Sequence, residues 1–410
     1  MQPASAKSPT VTRVLNGELC TGCGLCAALA PQAIRMESAP PGYARPLQIG
    51  GVTPETERRI ADSCPGAVVE PWQGAPNTHP TWGPWRRVMT GASTDPKVRF
   101  EASSGGAISG LLIHALESGL VDRVLHIAPD PADPTRNVNA ISRSGEEILA
   151  RAGSRYTASS PLAAIEQALA DGGAMAFVGK PCDVSALRRL ARQDARVARH
   201  VPIVLSFFCG GMPSHGGVGR ILNALGVPAE EVVEFRYRGR GWPGACVARS
   251  ERRTAEMSYA DSWGSHLSKE VQFRCKICPD AVGGVADIAC ADAWYGDEEG
   301  YPSFEEQEGR SLIVTRTEAG DRLIDSALAA GRIEAEPLPI EEVGKMQPSQ
   351  ARRKRLILAR TAALPLTLQP RPRMRGLRVA QAAREASLAD AARNLLGTIR
   401  RTLKGTRSRL

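Results

Sequence analysis

Cys275-Lys276-Ile277-Cys278-Pro279-Asp280 is the stretch from which the rest of this chain is read. C-x-x-C followed by proline offers two thiolates at a spacing that a metal site or one side of an iron–sulfur cluster accepts. Two upstream stretches each carry a single cysteine beside glycine or proline: Gly179-Lys180-Pro181-Cys182-Asp183 and Phe207-Phe208-Cys209-Gly210-Gly211. Cys182, Cys209, Cys275 and Cys278 are four thiolates from three loops, the number a cuboidal 4Fe-4S cluster needs.

A second set lies at the N-terminus. Cys20-Thr21-Gly22-Cys23-Gly24-Leu25-Cys26 is C-x2-C-x2-C, the opening of a bacterial ferredoxin run. The cysteine that should follow is replaced by Ala30, although Pro31 remains. Counting back from Cys64-Pro65, the other half-motif has Pro54, Glu57 and Ile60 where three more cysteines belong. The pattern is a two-cluster ferredoxin reduced to one cluster on Cys20, Cys23, Cys26 and Cys64. Gly22 and Gly24 let the backbone wrap closely and aim N–H groups at sulfur. The alternative is a zinc knuckle, although x2-x2 spacing suits a cube better than paired C-x-x-C arms. Cys246 and Cys290 are read as buried free thiols.

At 410 residues the chain is long enough for two or three domains, and its composition is that of a globular protein. It has no run of 18 apolar residues and no basic-then-apolar N-terminus, so the expected compartment is the cytoplasm. There, ten cysteines are read as ligands before disulfides. Charge is uneven. Residues 351–410 hold 16 Lys/Arg against 2 acids, so the net charge of +9 reports on the tail and not on a mildly acidic core.

Between the two sets, Ser103-Ser104-Gly105-Gly106 precedes Ala107, Ile108, Leu111, Leu112, Ala115 and Leu116 at helical spacing. A Ser/Gly turn opening a helix is an anion site that a flavin pyrophosphate fits; an ordinary cap is the plainer reading. Arg155, Tyr156 and Thr157 offer a fork donor, a ring and a hydroxyl, suited to a flavin or nucleotide or to a surface loop. Residues 174–178 and 201–208 read as strands running into Lys180-Pro181-Cys182 and Cys209, so both single cysteines sit at strand C-termini, where α/β sheets place ligands. Arg236, Tyr237, Arg238, Arg240 and Trp242 can clamp an anionic cofactor or substrate; one such motif is thin support for nucleic acid. Asp261, Trp263, Asp292, Trp294 and Asp297 either line a substrate pocket or cap turns. Residues 311–315 read as a strand, with a helix after Asp321. Val379 to Leu403 reads as one basic helix with an apolar stripe, suiting an anionic membrane surface, an acidic partner or a capping role.

Together, Ser103–Gly106, Gly153–Thr157, Gly179–Cys182, Phe208–Gly210, Cys275–Cys278 and Gly309–Arg316 resemble the family of coenzyme F420 hydrogenase/dehydrogenase β subunits, over about residues 14 to 345. That family includes ferredoxin-dependent reductases of chlorophyll-type compounds. The resemblance implies FAD on Ser103, Ser104, Gly105, Gly106, Arg155, Tyr156, Thr157 and Lys180, beside a cluster on Cys182, Cys209, Cys275 and Cys278. Arg238 joins these as a candidate cofactor contact from its own motif. The implied fold is an α/β (α+β) catalytic body with a small N-terminal ferredoxin-like iron–sulfur module and a basic, partly helical tail. The expected division is disorder over 1–13, the module over 14–70, a linker over 71–98, the body over 99–347 and the tail over 348–410. The implied function is an oxidoreductase with two 4Fe-4S clusters and FAD, moving electrons between a ferredoxin-type carrier, or reduced coenzyme F420, and an organic substrate. An electron-transfer β subunit of a larger redox complex is the alternative. A zinc-stabilised nucleic-acid-binding protein is the remote one.

Overall fold

A computed structural model describes residues 6–296 and 303–405. Asp297 lies outside them, as do residues 1–5 of the expected disordered start and the last five residues of the tail. The body is built on eight strands: β1 (Arg87–Ser93), β2 (Arg123–Pro129), β3 (Asn137–Ser142), β4 (Met175–Val178), β5 (Ile203–Phe207), β6 (Ile288–Asp292), β7 (Ser311–Thr315) and β8 (Ile333–Pro337). They form one sheet in the order β8-β1-β7-β6-β5-β4-β2-β3. The central four, β6, β5, β4 and β2, run parallel. β3, β7, β1 and β8 are each antiparallel to the strand they join. Central strands such as Met175-Ala176-Phe177 and Ile203-Val204-Leu205 are buried on both faces, which is why they read as unbroken apolar runs rather than alternations.

The helices that place the site are α1 (Pro9–Asn16), α2 (Leu25–Leu29), α3 (Pro54–Ser63), α4 (Ala107–Glu117), α5 (Pro181–Ala191), α6 (Glu318–Ala329), α7 (Pro348–Leu366) and α8 (Leu388–Leu403). On one face of the sheet, Leu111 and Leu112 of α4 and Leu323 and Ile324 of α6 pack on Val124, Ile203 and Leu205. On the other, Val184 and Leu187 of α5 pack on Leu125, Phe177 and Val204. That second core also contains Val11, Leu25, Leu29, Ile34 and Ile60. The N-terminal segment is therefore part of the body's own hydrophobic core and not a tethered appendage.

Several expected boundaries move. Residues 8–13 are ordered: Ser8 is fully buried, caps α1 through Val11 N–H and bonds Glu57, which the Ser/Ala/Pro composition concealed. The expected linker over 71–98 ends early, because Arg87–Ser93 is β1 of the main sheet with Val88, Met89 and Ala92 buried. Thr90, Gly91 and Ser93 disguised that strand as loop. The helix placed after Asp321 begins at Glu318, capped by Thr317. The single helix expected over Val379–Leu403 is broken into Val379–Ala383 and α8, where Ser387 caps a new start.

Arg316 ties the wrapping segment to the sheet. It is buried, with Nη1 donating to the carbonyls of Trp82 (2.9 Å) and Pro84 (2.5 Å) and Nη2 to that of Val282 (2.6 Å). Arg316→Met is expected to strand these acceptors and cost about 3 kcal/mol, read as a lower urea midpoint. Burial also pushes His126, on β2, down to about 4 from 6.5. The unfolded state binds that proton first, so stability present above pH 6.5 is lost as pH falls toward 4. His126→Gln should flatten this acid limb, worth at most roughly 3 kcal/mol.

Candidate functional site

Cys20, Cys23, Cys26 and Cys64 line one hollow, whose other walls include Val11, Val14, Leu29 and Ile60. The loop carrying Cys20 and Cys23 turns through left-handed Gly22 (φ 79°) and Gly24 (φ 87°). A side chain at Gly24 would meet the backbone of Ala163 at 2.8 Å, so glycine lets the loop lie against the body. Leu162 N–H donates to Cys23 O and Ser160 Oγ to Gly22 O across the same seam. Cys26 lies in α2 and Cys64 at the end of α3. Burial raises all four thiols, Cys64 to about 11. Arg45 beside Cys20 and Arg274 beside Cys64 oppose that rise.

Cys182, Cys209, Cys275 and Cys278 line a second hollow, with Lys180, Gln272 and Arg353 at its walls. Cys182 sits in the first turn of α5, just past β4, and Cys209 just past β5. Burial pushes Cys209 up to about 12 and raises Cys182 and Cys278. Met212 N–H donates to Cys275 Sγ at 3.3 Å. Among the described residues, no three of His, Cys, Asp and Glu are gathered tightly enough to hold one metal ion. A four-iron cube takes one cysteine sulfur on each of its four irons, which spreads its cysteines wider than the ligands of a single tetrahedral zinc.

One side chain joins the two sets. Gln272 Nε2 lies 3.4 Å from the carbonyl of Thr21, between Cys20 and Cys23, and 3.6 Å from Cys275 Sγ. Its Oε1 accepts from Arg45 at 2.9 Å, and the adjacent Arg274 donates to Pro65 O, next to Cys64, at 3.0 Å. None of Arg45, Gln272 and Arg274 was singled out from the sequence; nothing in a Gln-Phe-Arg-Cys string announces a bridge.

The tail supplies a cap that was equally hidden. From α7, Gln350 Nε2 (3.0 Å) and Arg353 Nη1 (2.8 Å) donate to Cys209 O, and Arg353 also reaches Gly210 O. Lys354, buried over the Trp72 ring, donates to Pro279 O, and Arg360 to Lys276 O. Helical spacing of these residues shows a face, but not what the face covers.

The expected flavin residues gather at the C-terminal ends of the parallel strands. Ser103 Oγ accepts from Ser154 N–H at 2.7 Å, so the Ser/Gly turn and the 153–157 loop are joined. Ser104 (φ 60°) donates to Arg310 O, and Gly105 N–H to Ser311 Oγ. Gly106 (φ 73°) opens α4. Arg155 is held by Asn137 and by the carbonyls of Pro134 and Arg136. Tyr156 packs edge-on to Tyr237 and Trp263, and Thr157 lies beside His215. Lys180 is buried with Nζ 2.7 Å from Asp183 and 2.9 Å from Ser159 Oγ, so its charge is already paired. Arg238 sets its fork on Asp292 at 2.9 and 3.0 Å. Its guanidinium plane lies on Tyr259 and Trp294, and Trp242 stacks on Trp294 at 4.7 Å and bonds Asp292. Asp292 is thus an anchor for this aromatic wall, while Asp261 closes a turn with Ser258.

A mixed α/β sheet with two cysteine quartets, each lining one hollow, defines a candidate redox protein. Two parts of the family described as coenzyme F420 hydrogenase/dehydrogenase, beta subunit, match the chain: the N-terminal part over residues 88–166 and the C-terminal part over residues 172–341. The chain belongs to this family. The coenzyme F420 hydrogenase subunit beta of Methanococcus voltae is 26% identical over 298 residues, 70% of this chain and 99% of the relative. The F420-dependent formate dehydrogenase 1 subunit beta of Methanococcus maripaludis is 24% identical over 228 residues, 54% of this chain and 57% of the relative. A chain of the solved F420-reducing nickel–iron hydrogenase complex from Methanosarcina barkeri shares the fold. The TM-score is 0.56 at 21% identity, covering 72% of this chain and 98% of that one. The relatives' names are those of oxidoreductase subunits.

Arg238→Leu should leave Asp292 partly buried without its cation and cost about 3–5 kcal/mol. Arg238→Leu with Asp292→Leu should recover part of that loss in thermal unfolding. No recovery would mean the pair does not anchor the wall.

Proposed function

We propose that this chain is an electron-transfer β subunit, or a single-chain oxidoreductase of the same design, that exchanges electrons between a two-electron organic carrier of the deazaflavin F420 kind and a one-electron carrier. The observation that carries the reading is the pair of four-cysteine hollows joined through Gln272. Cys20, Cys23, Cys26 and Cys64 would hold one 4Fe-4S cluster, and Cys182, Cys209, Cys275 and Cys278 a second. The donor sets fit: four sulfurs each, mostly apolar walls at the first, and cations at hand. The Ser103–Gly106 turn and the 153–157 loop would hold FAD, since the turn opens the eleven-residue helix α4, whose first N–H groups favour a diphosphate. When bound, the clusters carry single electrons and the flavin converts between one- and two-electron chemistry.

The chain's own residues have definite tasks in this reading. Met212 N–H and the Gln272 amide donate to Cys275 sulfur and orient it. Arg274 stands between the sets, attracting both Cys64 and Cys278. Gln350, Arg353 and Lys354 hold the Cys209 and Cys278 loops from outside and exclude water there. The relatives named for hydrogenase and dehydrogenase complexes favour a larger assembly as partner. The N-terminal quartet, sharing the body's core, favours direct delivery from a ferredoxin-type carrier as the second reading.

The test is anaerobic electron exchange between reduced coenzyme F420 and a viologen dye, with reduced ferredoxin as a parallel donor. Exchange with F420 supports the β-subunit reading; exchange with ferredoxin alone supports the second; exchange with neither sinks both. Cys275→Ser is expected to remove about half of the bound iron and Cys20→Ser the other half. Unchanged iron in either variant contradicts the ligand assignment.

A further inference from the structure

Helix α8 is turned the wrong way for a protein that ends in water. At about 100° per residue, Leu388, Ala392, Leu396, Ile399 and Leu403 share one face. That face points outward: Leu388 is 89% exposed, Leu396 63% and Leu403 74%. The residue buried on α8 is instead Thr398. The inward side is held by polar contacts, with Arg360 of α7 donating to Asn394 and Thr398 bonding Asn394 O. Leu366 and Leu368, at the end of α7, are 66% and 93% exposed. Six of the eleven large apolar side chains exposed among the described residues fall between 358 and 403, so this is a concentrated face and not scattered surface leucine.

Charge decides what covers it. Arg393, Arg400 and Lys404 form the strip beside the leucines on α8. The segment's two acids are already used, Asp390 by Arg352 and Arg393 and Glu385 by Arg355. Arg384, Arg371 and Arg375 remain exposed nearby. A second copy would bring one positive strip against another. We infer that the α7–α8 face docks on an anionic lipid surface, with the leucines of α8 in the acyl boundary and its basic strip at the headgroups. Among the described residues no helix is long and apolar enough to cross a membrane, so the contact is peripheral. α7, against which α8 packs, also grips the Cys209 and Cys278 loops, so the docked helix pair is joined to the second cysteine set.

The experiment is co-sedimentation of the full chain with vesicles of phosphatidylcholine alone or with one quarter phosphatidylglycerol. Binding to the anionic vesicles should be at least tenfold tighter and fall with added salt. Leu388→Ser with Leu396→Ser and Leu403→Ser, and separately Arg400→Gln with Lys404→Gln, should each weaken it about tenfold while circular dichroism and iron content stay unchanged. These side chains point outward, so the variants are expected to fold. Equal binding to both vesicle types, no binding, or full binding by the leucine variant overturns the inference. Leucine-dependent self-association without lipid binding would assign the face to a second copy, and failure to bind vesicles alongside capture of an acidic protein would assign it to that partner.

Discussion

A thiolate taken out of water has to be compensated, and here eight cysteines are brought into two confined hollows within one folded core. Burial alone pushes most of these thiols toward their neutral form. What opposes it is a set of cations: Arg45 and Arg274 along the seam between the two sets and, from the far end of the chain, Arg353 outside the second. Gln272 is the hinge of this arrangement. Its amide faces the first set's loop on one side and the second set's Cys275 on the other. The first quartet needs residues near 20 and 64 brought together and the second residues near 182, 209 and 275, so site formation is tied to folding of the core.

The sharing of a hydrophobic core explains why the N-terminal segment cannot be treated as an independent carrier domain. Leu25, Leu29 and Ile60 pack with Phe177 and Leu187 of the body. The loop at Gly22–Gly24 is pinned by residues 160–163. These contacts join the two sets within one core, which a tethered module would not. The same economy appears at the Arg238–Asp292 pair, where a buried ion pair holds an aromatic wall near the Ser/Gly turn rather than meeting a ligand itself.

Much of this was legible in the sequence because cysteine spacing and strand–loop junctions are local signals. β4, β5 and β7 read correctly as strands, and Cys182 and Cys209 fell at strand ends as expected. β1 did not, because Gly91 and Ser93 interrupt its strand pattern and the strand is made by tertiary pairing with β7 and β8. The partners of Arg238 and Lys180 were not legible, because a sequence does not show that Asp292 and Asp183 pair with them. α8 carried an apolar stripe that left a membrane surface, an acidic partner and a capping role open, and the structure turns the stripe out. Which way an amphipathic helix points depends on its neighbour, and no periodicity records that.

The claim at the centre is that both cysteine quartets are cluster sites in one rigid core. Chemical analysis of anaerobically purified protein for iron, acid-labile sulfide and flavin tests it most directly. About eight irons with matching sulfide, as two four-iron clusters require, and one flavin per chain are the predicted result. Zinc without sulfide, or about four irons per chain, would contradict it.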